Sequence, residues 1–365
     1  MSEEVLGPRA LNRALLARQG LIERWDCGPR EAIERLVGLQ GQVPNAPYVG
    51  LHTRLERFGT DDLADLLWSR DVVRIALMRS TVHLVTASDC LRLRPVVAPV
   101  LERQLWKGSP WGKALIGVDP DALVAAGREI LDEAPRTNPE LARALRERFP
   151  GRDGESMANG LRNLAPLVQV PPRGIWGVGG VARLATAETW LGAPLARDGA
   201  PDETILRYLG AFGPASAHDV QTWSGLTRLG EVLERLRPGL ACFRDESGRE
   251  LYDLPGAPRP DPDTPAAPRF LPEYDNALLS HAARERIIAA EHRPRVFTKG
   301  ALLVDGFVRG TWSVRAARRS ATLAIAPFRR ISKRDAAAVE REGARLLAFV
   351  SPGSLAHDCA ILPVS

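Results

Sequence analysis

The first 254 residues repeat one local unit, in which short amphipathic helices are followed by a pair of strands. In the clearest copy, Ser216 and Asp219 have the spacing of a capping box, and Thr227 opens a helix whose apolar residues recur at i, i+3, i+4 and i+7. Two strand-like runs close this copy, Leu240–Phe243 and Arg249–Asp253. Helix, helix, turn, helix and hairpin is the order of a winged-helix domain.

A second copy of the unit precedes this one. Asn138 stands where a helix cap is expected and Pro139 at the first helical position, and a further helix is predicted near Ser156–Leu164. The segment 167–174 predicts a strand that leads into a turn rich in proline and glycine. This order again indicates a winged helix.

The N-terminal copy closes with two predicted strands, Val72–Met78 and Thr81–Thr86. Its second helix buries Ile33, and Gln40 follows seven residues later, so the apolar helix face is predicted to continue into an amide. A buried amide without hydrogen bonds costs on the order of 1 to 3 kcal/mol. From the residues alone, Gln40 and Gln42 either tie down a loop or carry a function.

Beyond the three units, seven prolines between Asp253 and Pro272 predict a stiff connector, because each proline fixes φ and removes a backbone donor. Apolar runs that predict hairpin strands follow it, at Phe297–Val304, Phe307–Val314 and Thr322–Ala326. The predicted fold class is α+β, with three tandem winged helices and a C-terminal domain like a β-barrel or a curled sheet. The predicted boundaries are 1–118, 119–200, 201–254 and 255–365.

Positive charge is concentrated in the predicted C-terminal domain. The forty residues from Arg295 to Arg334 hold ten basic side chains and one acidic one, which is +9, whereas the whole chain carries +5. A stripe of this density is typical of proteins that bind a phosphate polymer. The alternative is a solvated basic face on a chain rich in arginine.

Composition argues against several classes of protein. A hydrophobic fraction of 45% with 25% charged residues is ordinary for a globular chain, and no apolar run approaches the roughly 18 residues of a membrane span. The four cysteines lie too far apart for a zinc or redox motif. We therefore expect a soluble, cytoplasmic protein with no metal and no cofactor.

The segment Gly177–Ala182 fits the pattern G-x-G-x-x-[GA] of dinucleotide-binding loops. That reading requires a full crossover helix and a parallel strand after the glycines, but Gly192 and Pro194 stop any helix within about a dozen residues. A glycine-rich wing is the favoured interpretation.

Several segments carry a family resemblance: Leu39–Pro44, Leu77–Val85, Arg269–Asn276 with Leu279–His281, and Val304–Val308 with Gly310–Trp312. In this order they resemble the winged-helix DNA glycosylase family typified by AlkZ and YcaQ, which contains azinomycin-resistance and interstrand-crosslink glycosylases. The resemblance implies three winged helices and a β-domain around a concavity of the size of DNA. It also implies hydrolytic removal of N7-alkylated guanines, including bulky adducts and crosslinks.

The catalytic motif of that family is a glutamine, a hydrophobic residue, and then a glutamine or an aspartate. Gln40 and Gln42 match its glutamine form, so the resemblance implies that both are catalytic, whereas Gly41 departs from the hydrophobic middle position. N7-alkylguanine is already cationic, so its departure needs no strong acid. Amides can place a water beneath C1′ and stabilise the developing oxocarbenium ion.

The expected partner is double-stranded DNA carrying an alkylated guanine, bound by a monomer and without a membrane. The candidate DNA contacts are Arg309, Arg315, Arg318, Arg319, His83 and His281. A structural role is the alternative for both histidines. A different class of function remains open at this point, namely a winged-helix transcription regulator or a catalytically silent DNA-binding paralogue, and a regulator would dimerise on a palindrome.

Overall fold

The computed structural model describes residues 4–296, 298–316 and 320–364. Its α-helices are α1 (Pro8–Arg18), α2 (Pro29–Arg35), α3 (Ala46–Arg54), α4 (Thr60–Trp68), α5 (Ala87–Gly108), α6 (Pro110–Ala114), α7 (Pro120–Glu133), α8 (Asn138–Arg148), α9 (Gly154–Leu164), α10 (Ala187–Leu191), α11 (Asp202–Phe212), α12 (Ala217–Ser224), α13 (Leu229–Leu236), α14 (Asn276–Leu279), α15 (Arg293–Val296) and α16 (Lys333–Val350). Its strands are β1 (Val5–Leu6), β2 (Leu39–Gln40), β3 (Val72–Ala76), β4 (Val82–Thr86), β5 (Arg136–Thr137), β6 (Leu167–Val170), β7 (Arg183–Thr186), β8 (Ala241–Asp245), β9 (Glu250–Asp253), β10 (Arg269–Leu271), β11 (Gly300–Val304), β12 (Phe307–Ala316), β13 (Ser320–Pro327) and β14 (Ala356–Ile361).

The largest sheet has six strands in the order β2-β4-β3-β6-β7-β5, and all its neighbours are antiparallel. Its two halves meet where Arg74 of β3 pairs with Gln169 of β6 and Ile75 pairs with Val168. The hairpins of the first two predicted units therefore form one continuous sheet. The glycine-rich segment 177–182 lies between β6 and β7, which are antiparallel neighbours, as expected for a wing and not for a dinucleotide-binding loop.

Helix starts follow the capping signals closely. Ser216 caps α12, and its capping box with Asp219 is present. In the second unit the cap is Thr137, one residue before the predicted Asn138, because Thr137 and Glu140 form a reciprocal capping box. The helix predicted to open at Thr227 begins at Leu229 instead.

The prediction that Gln40 continues a helix face is wrong. Helix α2 ends at Arg35, and the chain then passes through Val37 and Gly38, whose φ values are 53° and 87°. The Gly38 N–H donates to the Ile33 carbonyl over 2.9 Å, a bond that closes the helix end. A left-handed turn therefore separates Gln40 from α2 and directs it into the sheet.

The proline-rich connector packs along α1. The Arg13 Nε donates to the Thr264 carbonyl at 2.7 Å, and the Arg18 Nη2 donates to the Pro258 carbonyl at 3.1 Å. Arg18 also forms a fully buried ion pair with Asp253, over 2.6 Å. The connector is thus held to the first helix and does not stand away from the units that it joins.

The C-terminal sheet is open and is not a barrel, which corrects the prediction of a barrel-like domain. Its order is β10-β11-β12-β13-β14, and within the described residues the edge strands β10 and β14 pair with one neighbour each. Helix α16, which lies in the predicted β-domain, covers one face of this sheet. At Gly343 a Cβ atom would lie 2.9 Å from Leu323 Cδ2, so the glycine permits the close approach of helix and sheet.

The small third sheet combines the hairpin of β8 and β9 with β1, which runs parallel to β8. This hairpin matches the two strands predicted at 240–243 and 249–253. Across the described ranges, none of the helices is long and apolar enough to cross a membrane.

Candidate active site

The sheet places the two glutamines of the motif in different surroundings. Gln40 is the last residue of β2, where it pairs with His83 of β4, and the Gly41 N–H extends the pairing by donating to the Val82 carbonyl at 2.7 Å. Gln40 is 7% exposed. Gln42 lies beyond the last paired residue, in the loop before α3, and is exposed. One amide is therefore held within the fold while the other faces solvent.

Arg79 holds the buried amide. Its Nη2 donates to Gln40 Oε1 over 2.8 Å, and its Nη1 donates to the Trp223 carbonyl of α12. Arg79 lies in the turn between β3 and β4 at φ 55°, a conformation that residues other than glycine seldom adopt. The turn thus directs a half-buried guanidinium onto the motif and connects the motif to the third unit.

A second arginine holds the backbone of the motif. Arg74 of β3 is 2% exposed, and its Nη2 donates to the Gly41 carbonyl at 2.7 Å. A Cβ at Gly41 would lie 3.1 Å from Arg74 Nη1, which is shorter than an ordinary van der Waals contact. The space that the family's hydrophobic middle residue would need is therefore partly taken by a guanidinium in this chain.

Both arginines lie in a positive environment. Burial and the nearby Arg173 lower the pKa of Arg74 to about 10, and burial and the nearby Arg284 lower the pKa of Arg79 to about 10. Both remain charged at neutral pH. Within the described parts of the chain, the hydrogen-bond partners of both guanidinium groups are backbone or side-chain carbonyl oxygens and not carboxylates. The segment from Gln40 to Gly41 is therefore hydrogen-bonded to two guanidinium groups, whose charges are stabilised by carbonyl oxygens.

His83 is fully buried beside Gln40. Its Nδ1 lies 2.9 Å from the Thr81 carbonyl, which can only accept, so Nδ1 carries the proton and Nε2 is unprotonated. Burial and the charge of Arg79 lower the pKa of His83 to about 3, so the ring is neutral. Nε2 is enclosed and has no partner among the described residues. The predicted contact of His83 with DNA does not fit this burial.

His281 also lies in the interior, 1% exposed. Its Nδ1 lies 2.9 Å from Ser280 Oγ and its Nε2 lies 3.0 Å from the Phe212 carbonyl, so the protein uses both ring nitrogens. Burial, followed by the charge of Arg286, lowers the pKa of His281. Of the two roles considered for it, this arrangement favours the structural one.

Asp275 and Asn276 hold the segments on both sides of the motif. Asn276 Nδ2 donates to the Gly38 carbonyl at 2.7 Å, just before β2, and Asp275 forms a buried ion pair with Arg54 at the end of α3. Sequence reasoning placed these two residues in a family segment without a role. It also missed Arg74 and Arg79, because nothing in their spacing distinguishes a buried arginine from a solvated one.

The basic block, which we define as the forty residues from Arg295 to Arg334, lies partly within the described residues. Arg309 and Arg315 lie exposed on β12, and Arg315 pairs with Thr322 of β13. Arg318 and Arg319 lie outside the described residues. A cavity of about 600 Å³ has Arg315, Lys299, Trp176 and Trp312 in its lining. Trp176 also contacts α3, the helix after the motif, because its backbone N–H donates to the Tyr48 hydroxyl at 3.2 Å.

Comparisons with known proteins agree with one another. The family model described as DNA glycosylase AlkZ-like matches residues 33–349. An interstrand DNA cross-link repair glycosylase of Streptomyces sahachiroi is 24% identical over 360 residues, which cover 91% of this chain and 93% of the relative. The solved structure of the Streptomyces sahachiroi DNA glycosylase AlkZ superposes with a TM-score of 0.77 at 22% identity and covers 98% of this chain and 100% of its own. The chain therefore belongs to the AlkZ-like family and is a DNA glycosylase.

Proposed function

We propose that this chain hydrolyses the N-glycosidic bond of N7-alkylguanine in duplex DNA, including bulky adducts and interstrand crosslinks, and so provides repair or self-resistance. The observation that carries the proposal is the placement of Gln42. It is exposed in a loop whose preceding residues are held by β4, Arg74 and Arg79. A side-chain amide that is exposed on a fixed backbone, as that of Gln42 is, is suited to positioning a water molecule for the reaction.

The chemistry of the site supports a cationic substrate. Within the described residues, the charged groups that hydrogen-bond to the motif are Arg74 and Arg79. Their pKa values of about 10 make them poor proton donors at neutral pH, and an amide is too weak an acid to protonate a neutral base. N7-alkylguanine is positively charged, so its bond to C1′ is already weakened. The enzyme then has to hold a water beneath C1′. The side-chain carbonyl of Gln42 is free to accept a hydrogen bond from that water.

The exposure of Gln42 also suits tethered lesions. Ordinary base flipping moves a nucleotide into an enclosed pocket, and a guanine bonded to both strands cannot move in that way. The relative from Streptomyces sahachiroi is named for interstrand crosslink repair. We propose the same substrate class for this chain, acting as a monomer through the exposed arginines of its basic block.

The test is base release from defined duplexes. Purified protein is incubated with duplexes that contain N7-methylguanine, a guanine–guanine interstrand crosslink, uracil or no lesion, and abasic sites are revealed as alkali-induced strand breaks. We expect breaks with the first two duplexes and none with the others, because uracil leaves as a poor anion that an amide cannot assist. Tight binding without breaks would indicate a catalytically silent paralogue, and release of uracil would contradict the proposed restriction to cationic bases.

A further inference from the structure

We propose that Arg79 is a positioning residue that fixes which end of the Gln40 amide faces the DNA. This inference rests on the proposed function. Arginine carries only donors, so the amide atom that lies 2.8 Å from Arg79 Nη2 must be the Gln40 oxygen. The acceptor of Gln40 is therefore occupied before any DNA arrives.

The other end of the amide is free. Gln40 Nε2 makes no hydrogen bond within the described residues. Unlike the fully enclosed polar atoms that lack a partner elsewhere in the protein, it keeps some exposed surface. It thus reaches accessible space as a donor. It can bind an acceptor on the substrate, such as a phosphate or sugar oxygen or the oxygen of the attacking water.

The orientation divides the work of the two glutamines. The Nε2 end of an amide dipole is positive and does not stabilise a cation, so Gln40 does not face C1′ with its carbonyl. The role of accepting a hydrogen bond from the water falls to the side-chain carbonyl of Gln42. Gln40 is left with the role of hydrogen-bond donor. Arg79 fixes this orientation, because rotating the amide by 180° would place Gln40 Nε2 against Arg79 Nη2, and both are donors.

The position of Arg79 is consistent with a dedicated role. It is half-buried, its hydrogen-bond partners within the described residues are carbonyl oxygens and not carboxylates, and it occupies a left-handed backbone conformation; these features carry a free-energy cost. Its second donor binds the Trp223 carbonyl of α12, which fixes the guanidinium plane. Because the planar Arg79 guanidinium is hydrogen-bonded both to Trp223 and to Gln40, it holds the Gln40 amide more rigidly than a side chain with a single hydrogen bond would.

The experiment is a double-mutant cycle on single-turnover excision of N7-methylguanine, with enzyme in excess and the Kd for DNA measured separately. We expect Arg79→Met to slow excision about 10- to 100-fold with less than a threefold change in Kd. In a Gln40→Met background the same change should cost less than threefold, because nothing is left to orient. Arg79→Lys, which keeps one donor, should restore part of the rate.

Arg103→Met is the matched control. Arg103 also anchors the end of α12, by donating to the Gly225 carbonyl, but it does not touch Gln40. It should leave the rate constant near the wild-type value. An equal loss from Arg103→Met, or an equal loss from Arg79→Met in both backgrounds, would show that Arg79 acts only by holding α12 and would overturn the proposal.

Gln40→Glu tests the donor directly and does not depend on the folding of an Arg79 variant. A glutamate keeps an oxygen for Arg79 and replaces the free NH2 by a second acceptor. We expect a loss of at least about 10-fold, and a wild-type rate would overturn the assignment. If the unaltered protein excises nothing, the proposed function fails as well, which is a different result from an active protein whose variants show no coupling.

Discussion

Arg54 and Asp275 form a bidentate ion pair in the interior, although 221 positions of sequence separate them. Arg54 Nη2 lies 2.7 Å from Asp275 Oδ1 and Arg54 Nη1 lies 2.8 Å from Asp275 Oδ2, and both side chains are 0% exposed. The pair joins α3, the helix after the glutamine motif, to the segment that begins α14. The loop that carries Gln42 is therefore held from both the N-terminal and the C-terminal parts of the chain.

Breaking this pair should destabilise the protein strongly. Asp275→Asn leaves the Arg54 charge buried without a counter-charge, which typically costs about 3 to 5 kcal/mol in the free energy of unfolding. Urea denaturation at pH 7 measures the loss. The control is Asp26→Asn, which removes a carboxylate from the solvent-exposed pair with Arg57 and should leave the urea midpoint almost unchanged. Equal small effects would mean that water reaches the Arg54 guanidinium.

The two motif glutamines should respond differently to truncation. Gln42→Ala removes little packing because Gln42 is exposed, so we expect normal folding and DNA binding with excision slowed roughly 10² to 10³-fold. Gln40→Ala should slow excision and also lower stability, because Arg79 loses an acceptor. Single-turnover assays with a thermal melt of each variant separate the effects. Wild-type excision by a folded Gln42→Ala protein would remove the motif from catalysis.

A larger residue at Gly41 should strain the site. The Cβ would lie 3.1 Å from Arg74 Nη1, and the buried guanidinium is held by its bond to the Gly41 carbonyl. We expect Gly41→Leu to cost about 1 to 3 kcal/mol in the free energy of unfolding and to slow excision. Gly230→Ala is the control, because no atom lies within 4 Å of its Cβ position and α13 should gain stability. Unchanged excision by Gly41→Leu would show that Arg74 moves aside freely.

Buried neutral histidines should make the protein sensitive to acid. Burial lowers the pKa of His52 and of His83 to about 3, whereas the unfolded value is near 6.5. The unfolded state therefore binds more protons below about pH 6.5, so stability is complete above that pH and is lost as the pH falls toward 3. Each such group costs about 2 kcal/mol between pH 7 and pH 5.

His52→Phe tests this linkage. His52 stacks on Phe349 with ring centroids 4.1 Å apart, and neither ring nitrogen has a partner among the described residues. A phenyl ring keeps the stacking and cannot take up a proton. Urea unfolding at pH 7 and at pH 5 should show a smaller acid loss for the variant, by about 2 kcal/mol. The same loss in both proteins would mean that His52 is protonated in the folded state.

Arg315, Arg318 and Arg319 of the basic block should determine how DNA binding depends on salt. Replacing Arg315, Arg318 and Arg319 by glutamine should weaken binding to all sequences alike and flatten the slope of log K against log salt by up to about 3. The control removes the same charge from three arginines that already pair with carboxylates, Arg57, Arg148 and Arg235. A matching change in the control would show that total charge sets the slope.

Local sequence patterns predicted most of the secondary structure, whereas the glutamine motif was indicated by the family resemblance. The capping box of Ser216 and Asp219, the strand pair around 72–86 and the hairpin at 240–253 depend on neighbours within a few residues, so they could be predicted from spacing. The resemblance over several ordered segments identified the family that the family model then matched.

Only the tertiary structure decided how these pieces meet. The short bend at Val37 and Gly38 placed Gln40 in a sheet and not on a helix, the pairing of β3 with β6 merged two units, and the covering helix α16 accompanied an open C-terminal sheet. The contact of Arg79 with Gln40 joins residues 39 positions apart through a turn of positive φ. Such contacts depend on which elements pack together, and that choice is made by the burial of the whole chain, which local spacing does not encode.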